Sequence, residues 1–180
     1  MTFSLWRLLL CVLMGYLIGC ISPSYLIGRK KGYDVRTSGS CNAGASNTVI
    51  MAGKAAGIFV ALFDILKATA ACKLGAVLLP ELEYAWQITG VSCVVGHMFP
   101  VFLGFRGGKG FACLGGVVLA HSAKVFLLML AIAVLIGFAS NYIAISTVSM
   151  SVIWPVCTTA RRPAIGRVLR SLRSPLCRSS

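Results

Sequence analysis

Long apolar runs constrain this chain more than any other feature. Leu8 to Ile27, Ala55 to Leu79 and Tyr84 to Phe105 each carry at most one acid and a few bases. Each is close to the roughly 20 residues that cross a bilayer's hydrocarbon core as a helix. Inside lipid a backbone must satisfy its own hydrogen bonds, which favours helices for runs of this length. With 58% hydrophobic and 12% charged residues among 180, the chain reads as an all-α, polytopic helical membrane protein with no room for a sizeable soluble domain.

Charge sets the expected topology. Arg29, Lys30 and Lys31 follow the first run and place its end inside, so the N-terminus lies outside. One Arg precedes that run and no small-x-small cleavage pattern follows it, so it reads as a first span and not as a removed signal peptide. Residues 28 to 54 form a polar Gly/Ser/Asn-rich loop, longer than a simple connection needs. The link "PELEY" holds only acids and suits the outside, so the third run brings Arg106 and Lys109 to the same cytoplasmic side as Arg36.

Beyond Lys109, "GFACLGGVVLA" is too short to span, and reads either as a half-span or as part of one long tilted helix. Val125 to Ala139 and Tyr142 to Val156 are further apolar runs. One crossing over residues 110 to 139 gives five spans and a cytoplasmic tail, two give six, and charge favours the odd count.

Seventeen Lys and Arg against four Asp and Glu give +13. Six of those arginines crowd residues 161 to 180, and removing them from +13 leaves +7. In so apolar a chain this excess points to membrane lipid and phosphate ligands, and no nucleic-acid partner is expected. The eight cysteines form no C-x-x-C pair, so neither a disulfide framework nor a metal site is expected, and they read as small apolar residues. Asp64 and Lys67 share one helical face, where each can neutralise the other away from lipid.

Two stretches carry chemistry. In "DVRTSGSCNAGASN", Gly39 and Gly44 let the backbone turn toward a ligand, Ser40, Asn42 and Asn47 offer short polar groups, and Arg36 supplies a cationic fork suited to phosphate. In "GHMFPVFLGFRGGKGF", Gly107, Gly108 and Gly110 free backbone amides to approach an anion and Lys109 adds a mobile charge. Arg106 sits near the headgroups. The following apolar run can start a helix aimed at the same place. It is not a nucleotide P-loop, because Gly110 follows Lys109 where Ser or Thr is needed. His97 suits a packing role or a hydrogen-bond or general-base role beside the glycines, whereas His121 has no such company. With no Ser/His/Asp set and no acidic pair, any chemistry rests on positioning and charge neutralisation, for one substrate bearing two phosphates or two bearing one each.

These two stretches resemble the first and second motifs of the PlsY family, the acyl-phosphate-dependent glycerol-3-phosphate acyltransferases. Those motifs run GSIP, D-x-R and GSGN-x-GATN, then G-H-x-F-P-x-F-L-x-F-[KR]-G-G-K-G. The match covers about Gly15 to Val156. The resemblance implies a seven-span enzyme, so that five to seven transmembrane helices bracket the expectation. It also implies a multi-pass cell-membrane location with the active site facing the cytoplasm. The implied reaction moves a fatty acyl group from acyl-phosphate to the sn-1 hydroxyl of glycerol 3-phosphate, giving lysophosphatidate and phosphate without metal or other cofactor.

Carried onto this chain, the resemblance makes Arg36 and Lys109 phosphate clamps, Gly39, Ser40, Asn42 and Asn47 a phosphate loop, and His97 a polar member of the second motif. Gly44, Arg106, Gly107, Gly108 and Gly110 join the substrate-binding set. Residues 1 to 160 then form the acyltransferase membrane domain and 161 to 180 a basic C-terminal tail. Cys20 stands where the motif has serine, with Ser22 as the possible stand-in at the motif's proline. Cys41 replaces a glycine, Ser46 and Cys113 each replace a threonine. Of the third motif, roughly H-x-x-N-I-x-R-L, "RRPAIGRVL" keeps only Ile165 and Arg167 and has Ala164 in place of asparagine. Two other readings stay open on these residues. One is a non-catalytic or truncated paralogue that binds an anionic lipid or phosphate ligand, and the other is a small anion transporter using Asp64 and Lys67.

Overall fold

The computed structural model describes residues 5–140, with side chains to residue 135. The run Tyr142 to Val156, the third-motif segment and the basic tail lie outside the described residues. Contacts divide the chain into two units, Met1–Leu127 and Leu128–Ser180, and the described part of the second is the later stretch of one helix.

The regular elements among the described residues are all helices, in the order α1 (Leu5–Gly19), α2 (Pro23–Lys30), α3 (Ala45–Ala52), α4 (Lys54–Leu78), α5 (Ala85–Met98), a 3-10 turn (Val101–Leu103), α6 (Phe111–His121) and α7 (Ala123–Ser140). Three stretches, Leu5–Lys30, Lys54–Leu78 and Ala85–Leu103, are long and apolar enough to cross a membrane.

The first apolar run is not one continuous helix. Gly19 ends α1, and the chain turns through an elbow before Pro23 opens α2. Proline at a first helical position lacks only an amide that would have no partner there, and it drives the preceding residue into extended backbone. Ser22 accordingly has φ −119° and ψ 98°, and its Oγ accepts the Tyr25 amide at 3.4 Å as the N-cap of α2. The polar stretch 28 to 54 holds its own helix, α3, with two glycines, Gly44 and Gly53, at its ends. The alternative of one long tilted helix from residue 110 fails at Ser122, whose extended backbone (φ −162°, ψ 117°) separates α6 from α7. Eleven residues make α6 about 16 Å long at 1.5 Å per residue, the length of a half-span.

The bundle turns large apolar side chains outward and small residues, together with the Asp64–Lys67 pair, inward. Phe59, Leu62 and Leu66 of α4 are exposed, while Val60, Asp64, Lys67, Ala71 and Gly75 are buried, one helical face apart. In lipid this is the economical arrangement, because polar groups need partners and lipid does not compete for leucine. Where α4, α5 and α6 meet, the core is Ala68, Ala71, Cys72, Cys93, Cys113 and Val117, with three cysteines packing as small residues.

Helix α1 crosses α5 through Gly15 and Gly19, four residues apart, facing Thr89 and Cys93, with Gly96 of α5 set against Tyr16. A Cβ at Gly15, Gly19 or Gly96 would overlap a backbone carbonyl of the other helix, so only glycine permits this approach. The Tyr16 hydroxyl closes the crossing by donating to the Phe99 carbonyl at 2.8 Å. At the far end Arg7 pairs with Glu81 of the acidic link, so the start of α1 and the α4–α5 connection share one end of the bundle.

Replacing Gly19 with leucine forces α1 and α5 apart. The variant is expected to lose about 2 to 3 kcal/mol, the upper part of the usual overpacking cost. A drop in the thermal unfolding midpoint of detergent-solubilised protein would register it, whereas Leu17→Ala on the exposed face of the same helix should leave the midpoint nearly unmoved.

Candidate active site

The two sequence stretches singled out for chemistry meet at the end of the bundle opposite Arg7. The first is shaped by Asn47, which is fully buried at the start of α3. Its Nδ2 donates to the carbonyls of Val35 at 3.1 Å and Ser38 at 3.0 Å, and its Oδ1 accepts the Ser40 amide at 2.8 Å. Asn47 therefore folds the loop from within, and Gly39 and Ser40 stay exposed on its outer side with Asn42 half-buried. Beneath the loop, Ser24 and Thr48 share a buried hydroxyl–hydroxyl bond of 2.7 Å that fastens α2 to α3.

Arg36 is held on three sides. Its Nε lies 3.0 and 3.1 Å from the Asp34 carboxylate oxygens and its Nη2 lies 2.7 Å from Oδ2. Its Nη1 donates to the Leu103 carbonyl at 3.1 Å, and its guanidinium carbon stands 5.5 Å from the centre of the Tyr25 ring. The hydrogen bonds from Arg36 pull the Asp34 carboxyl down from its usual 3.8 to about 2, and the same contact raises the Arg36 guanidinium.

The second stretch is a tight turn built on its glycines. The Gly107 amide donates to Met98 O at 3.1 Å and the Gly108 amide to His97 O at 3.0 Å. These two amides, expected to face an anion, are used to close the turn. A Cβ at Gly108 would overlap the His97 imidazole, and Gly110 has φ 81°, in the left-handed region that suits glycine. Arg106 and Lys109 are exposed, and Lys109 makes no hydrogen bond or ion pair with another described residue.

The stretches are stitched together by Arg36 to Leu103 and by the Ala43 amide donating to Gly107 O at 3.2 Å, and Gly44 lies against Gly108. Here two helices begin, α3 after Gly44 and α6 after Gly110, and neither receives a side-chain cap. First-turn amides have no partner inside their own helix and carry a partial positive charge. The free donors therefore belong to helix starts, next to Lys109 and Arg36.

His97 lies beneath this surface and is buried. Its Nδ1 is 3.0 Å from Lys67 Nζ, which also donates to Gly19 O at 3.2 Å and Ile21 O at 2.6 Å and pairs with Asp64 Oδ1 at 2.7 Å. Because the ammonium can only donate, Nδ1 accepts and the ring proton is on Nε2, toward Gly108. The sequence paired Asp64 with Lys67 but gave no sign of His97 or the elbow as further partners. Ser22 lies at that elbow, and Cys20 beside it is buried.

A model of the family described as glycerol-3-phosphate acyltransferase matches residues 9–174. The chain belongs to the glycerol-3-phosphate acyltransferase family. The family match extends past Val156, where the motif resemblance ended, and so includes most of the basic tail. Among relatives, Glycerol-3-phosphate acyltransferase 1 of Oceanobacillus iheyensis is 37% identical over 153 residues, covering 81% of this chain and 74% of that protein. Glycerol-3-phosphate acyltransferase of Listeria welshimeri is 39% identical over 145 residues, covering 78% and 72%. The crystal structure of PlsY, an integral membrane glycerol 3-phosphate acyltransferase, in its glycerol 3-phosphate form superposes with a TM-score of 0.79 at 32% identity, covering 87% of this chain and 79% of that one. This family member is thus an all-α, multi-pass membrane protein.

Family patterns also sharpen one local feature. Cys41, standing where the first motif has glycine, has φ 54°, a left-handed conformation costly for a residue with a Cβ. Cys41→Gly is expected to stabilise the fold by about 1 kcal/mol, seen as a raised unfolding midpoint.

Asp34 gives a pH prediction. A carboxyl lowered in the folded state stabilises fully above its unfolded value of 3.8 and loses that contribution as pH falls through about 2. Carboxyl-carbon NMR should place its midpoint near 2, and Arg36→Gln should return it toward 3.8.

Proposed function

We propose that this chain transfers a fatty acyl group from an acyl-phosphate to the sn-1 hydroxyl of glycerol 3-phosphate at a site facing the cytoplasm, as a step of phospholipid synthesis. The membrane domain over residues 1 to 160 carries the activity, and residues 161 to 180 form a basic tail. One observation supports this reading above the others: two helix starts without side-chain caps, at Gly44 and Gly110, lie beside Arg36 and Lys109. Such a surface binds phosphate, and both substrates carry one.

In the step, the sn-1 oxygen attacks the acyl carbon, the bond from that carbon to the phosphate oxygen breaks, and inorganic phosphate leaves with the hydroxyl proton. Atoms and charge balance without a metal or redox cofactor. Arg36, fixed by Asp34 and Leu103 O, orients one phosphate, and Lys109, with no hydrogen-bond or ion-pair partner among the described residues, follows the departing one. Gly39, Ser40 and Asn42 line the ligand side of the first loop, while Asn47 and Gly107 shape it. Gly108 lets the turn settle on His97, and Ser22 stands at the elbow below.

One observation favours a second reading, phosphate-ligand binding without turnover. Cys20 occupies the serine position of the first motif, and a thiol is a poorer hydrogen-bond donor than a hydroxyl. The anion-transport reading loses its argument, since Asp64 is paired with Lys67 and Lys67 is hydrogen-bonded to the elbow.

Protein reconstituted in lipid with palmitoyl-phosphate and glycerol 3-phosphate is expected to release phosphate and form lysophosphatidate. Lys109→Ala should cut the rate by about a hundredfold or more, the loss expected when a charge that meets developing anion is removed. A folded protein that is stabilised by glycerol 3-phosphate yet releases no phosphate would select the second reading.

A further inference from the structure

The Asp64–Lys67–His97 cluster is buried, yet it is bonded to the backbone that carries both helix starts. Lys67 Nζ reaches Gly19 O at 3.2 Å and Ile21 O at 2.6 Å, on either side of Cys20 in the α1–α2 elbow. The last carbonyls of a helix have no partner within it, and here the elbow prevents α2 from supplying one. A cation at that end also meets the negative pole of α1. From the elbow, α2 leads directly to the loop of Asp34 and Arg36. The other bond, to His97 Nδ1 at 3.0 Å, leads to the residue whose carbonyl accepts the Gly108 amide and whose ring lies under the Gly108 backbone.

Asp64, His97 and Cys113 bring three potential metal ligands within 4.8 Å of one another. The ammonium already contacts the carboxylate at 2.7 Å and the imidazole at 3.0 Å, so a cation is supplied by the chain itself. Burial of Lys67 and Asp64, with side chains 4% and 2% exposed, makes each a large liability without the other. Charge balance alone explains a pair. It does not explain the two elbow carbonyls and the imidazole, which use the three N–H bonds of the ammonium for geometry.

We propose that Lys67 is a positioning residue, a buried ammonium clasp that sets the Arg36 loop and the Lys109 turn at the spacing the two phosphates need. It acts through the elbow on one side and through His97 on the other, and touches no substrate. The proposal rests on the acyl-transfer reading for its kinetic arm, and on the geometry alone for its chemical one.

Lys67→Arg separates clasp from charge, because arginine keeps the charge opposite Asp64 but presents a planar fork of different length. Two readouts apply to the purified full chain in lipid. In the first, kcat is expected to fall about a hundredfold with KM for glycerol 3-phosphate changed less than about threefold, as a misplacement of about 1 Å can produce. In the second, alkylation by N-ethylmaleimide is followed by peptide mass spectrometry. Cys20, buried at the elbow, should react at least about tenfold faster, while Cys72 and Cys93 in the helix core stay protected and report an intact fold.

A folded Lys67→Arg protein with near wild-type kcat and a protected Cys20 would overturn the clasp. If that variant unfolds, with Cys72 and Cys93 also alkylated, the charge-free pair Asp64→Leu/Lys67→Met decides by the same two criteria. Activity lost on chelation and restored by zinc would also overturn it in favour of a metal at Asp64, His97 and Cys113, and indifference to chelator supports the ammonium. Should the wild type show no acyl transfer, the proposed function fails and the Cys20 arm still judges the clasp.

Discussion

A lysine ammonium at the centre of a lipid-spanning bundle is the contact on which the rest of this structure depends. Moving such a charge out of water costs several kcal/mol, and it persists only where it is paired and hydrogen-bonded. Lys67 meets that condition with partners from three segments: Asp64 on its own helix, the α1–α2 elbow, and His97 near the end of α5. Each partner is itself a group that lipid would leave unsatisfied. The cation and the carboxylate offset each other's charge across 2.7 Å, and the hydrogen bonds of the ammonium go to the orphaned carbonyls and the imidazole, with Asp64 Oδ1 accepting none among the described residues.

Close backbone approach makes that mutual satisfaction possible. Gly19 sits against the Cys93 backbone and Gly15 against Thr89, so the end of α1 lies on α5 at the distance of a glycine contact. Any side chain there would lift the elbow away from α4 and take the Gly19 carbonyl out of reach of Lys67. The small residues around the cluster, Ala68, Ala71 and Cys93, serve the same end. In water a bundle of such residues would bury too little apolar surface to hold together. In lipid, packing and polar contacts drive association, and the same residues are suitable.

The parts of this structure legible in the sequence are those set by composition over a window. The apolar runs located α4 and α5, the charges grouped Arg36 with Lys109, and the three-residue spacing paired Asp64 with Lys67. What stayed hidden depends on bonds between distant positions. Hydropathy continues unbroken from Leu8 to Ile27, and the elbow within it shows only as Pro23 and the Ser22 cap. Gly107 and Gly108 look like anion binders because glycine frees an amide, yet those amides are taken by Met98 and His97 in the fold. Asn47 reads as a ligand from its chemistry, and only the carbonyls of Val35 and Ser38 reveal that its amide is used inside the loop. Lys67 to Ile21 spans 46 residues, beyond any local pattern.

Arg36 and Lys109 then appear as two different devices. Four hydrogen bonds to Asp34 and Leu103 O and the face of Tyr25 leave the guanidinium with little freedom, so its direction is set before a ligand arrives. Ordering it has been done by the fold, and binding need not supply that entropy again. Lys109 is exposed, carries no protein partner among the described residues, and rides on a turn whose backbone is pinned at both Met98 and His97. Its base is fixed and its charge is mobile. In the proposed reaction the phosphate ester must stay in register while the other phosphate changes from anhydride-bound to free and departs. A rigid fork suits the first and a mobile point charge the second. This division works only while the two loops keep their spacing, which returns the requirement to the buried ammonium beneath them.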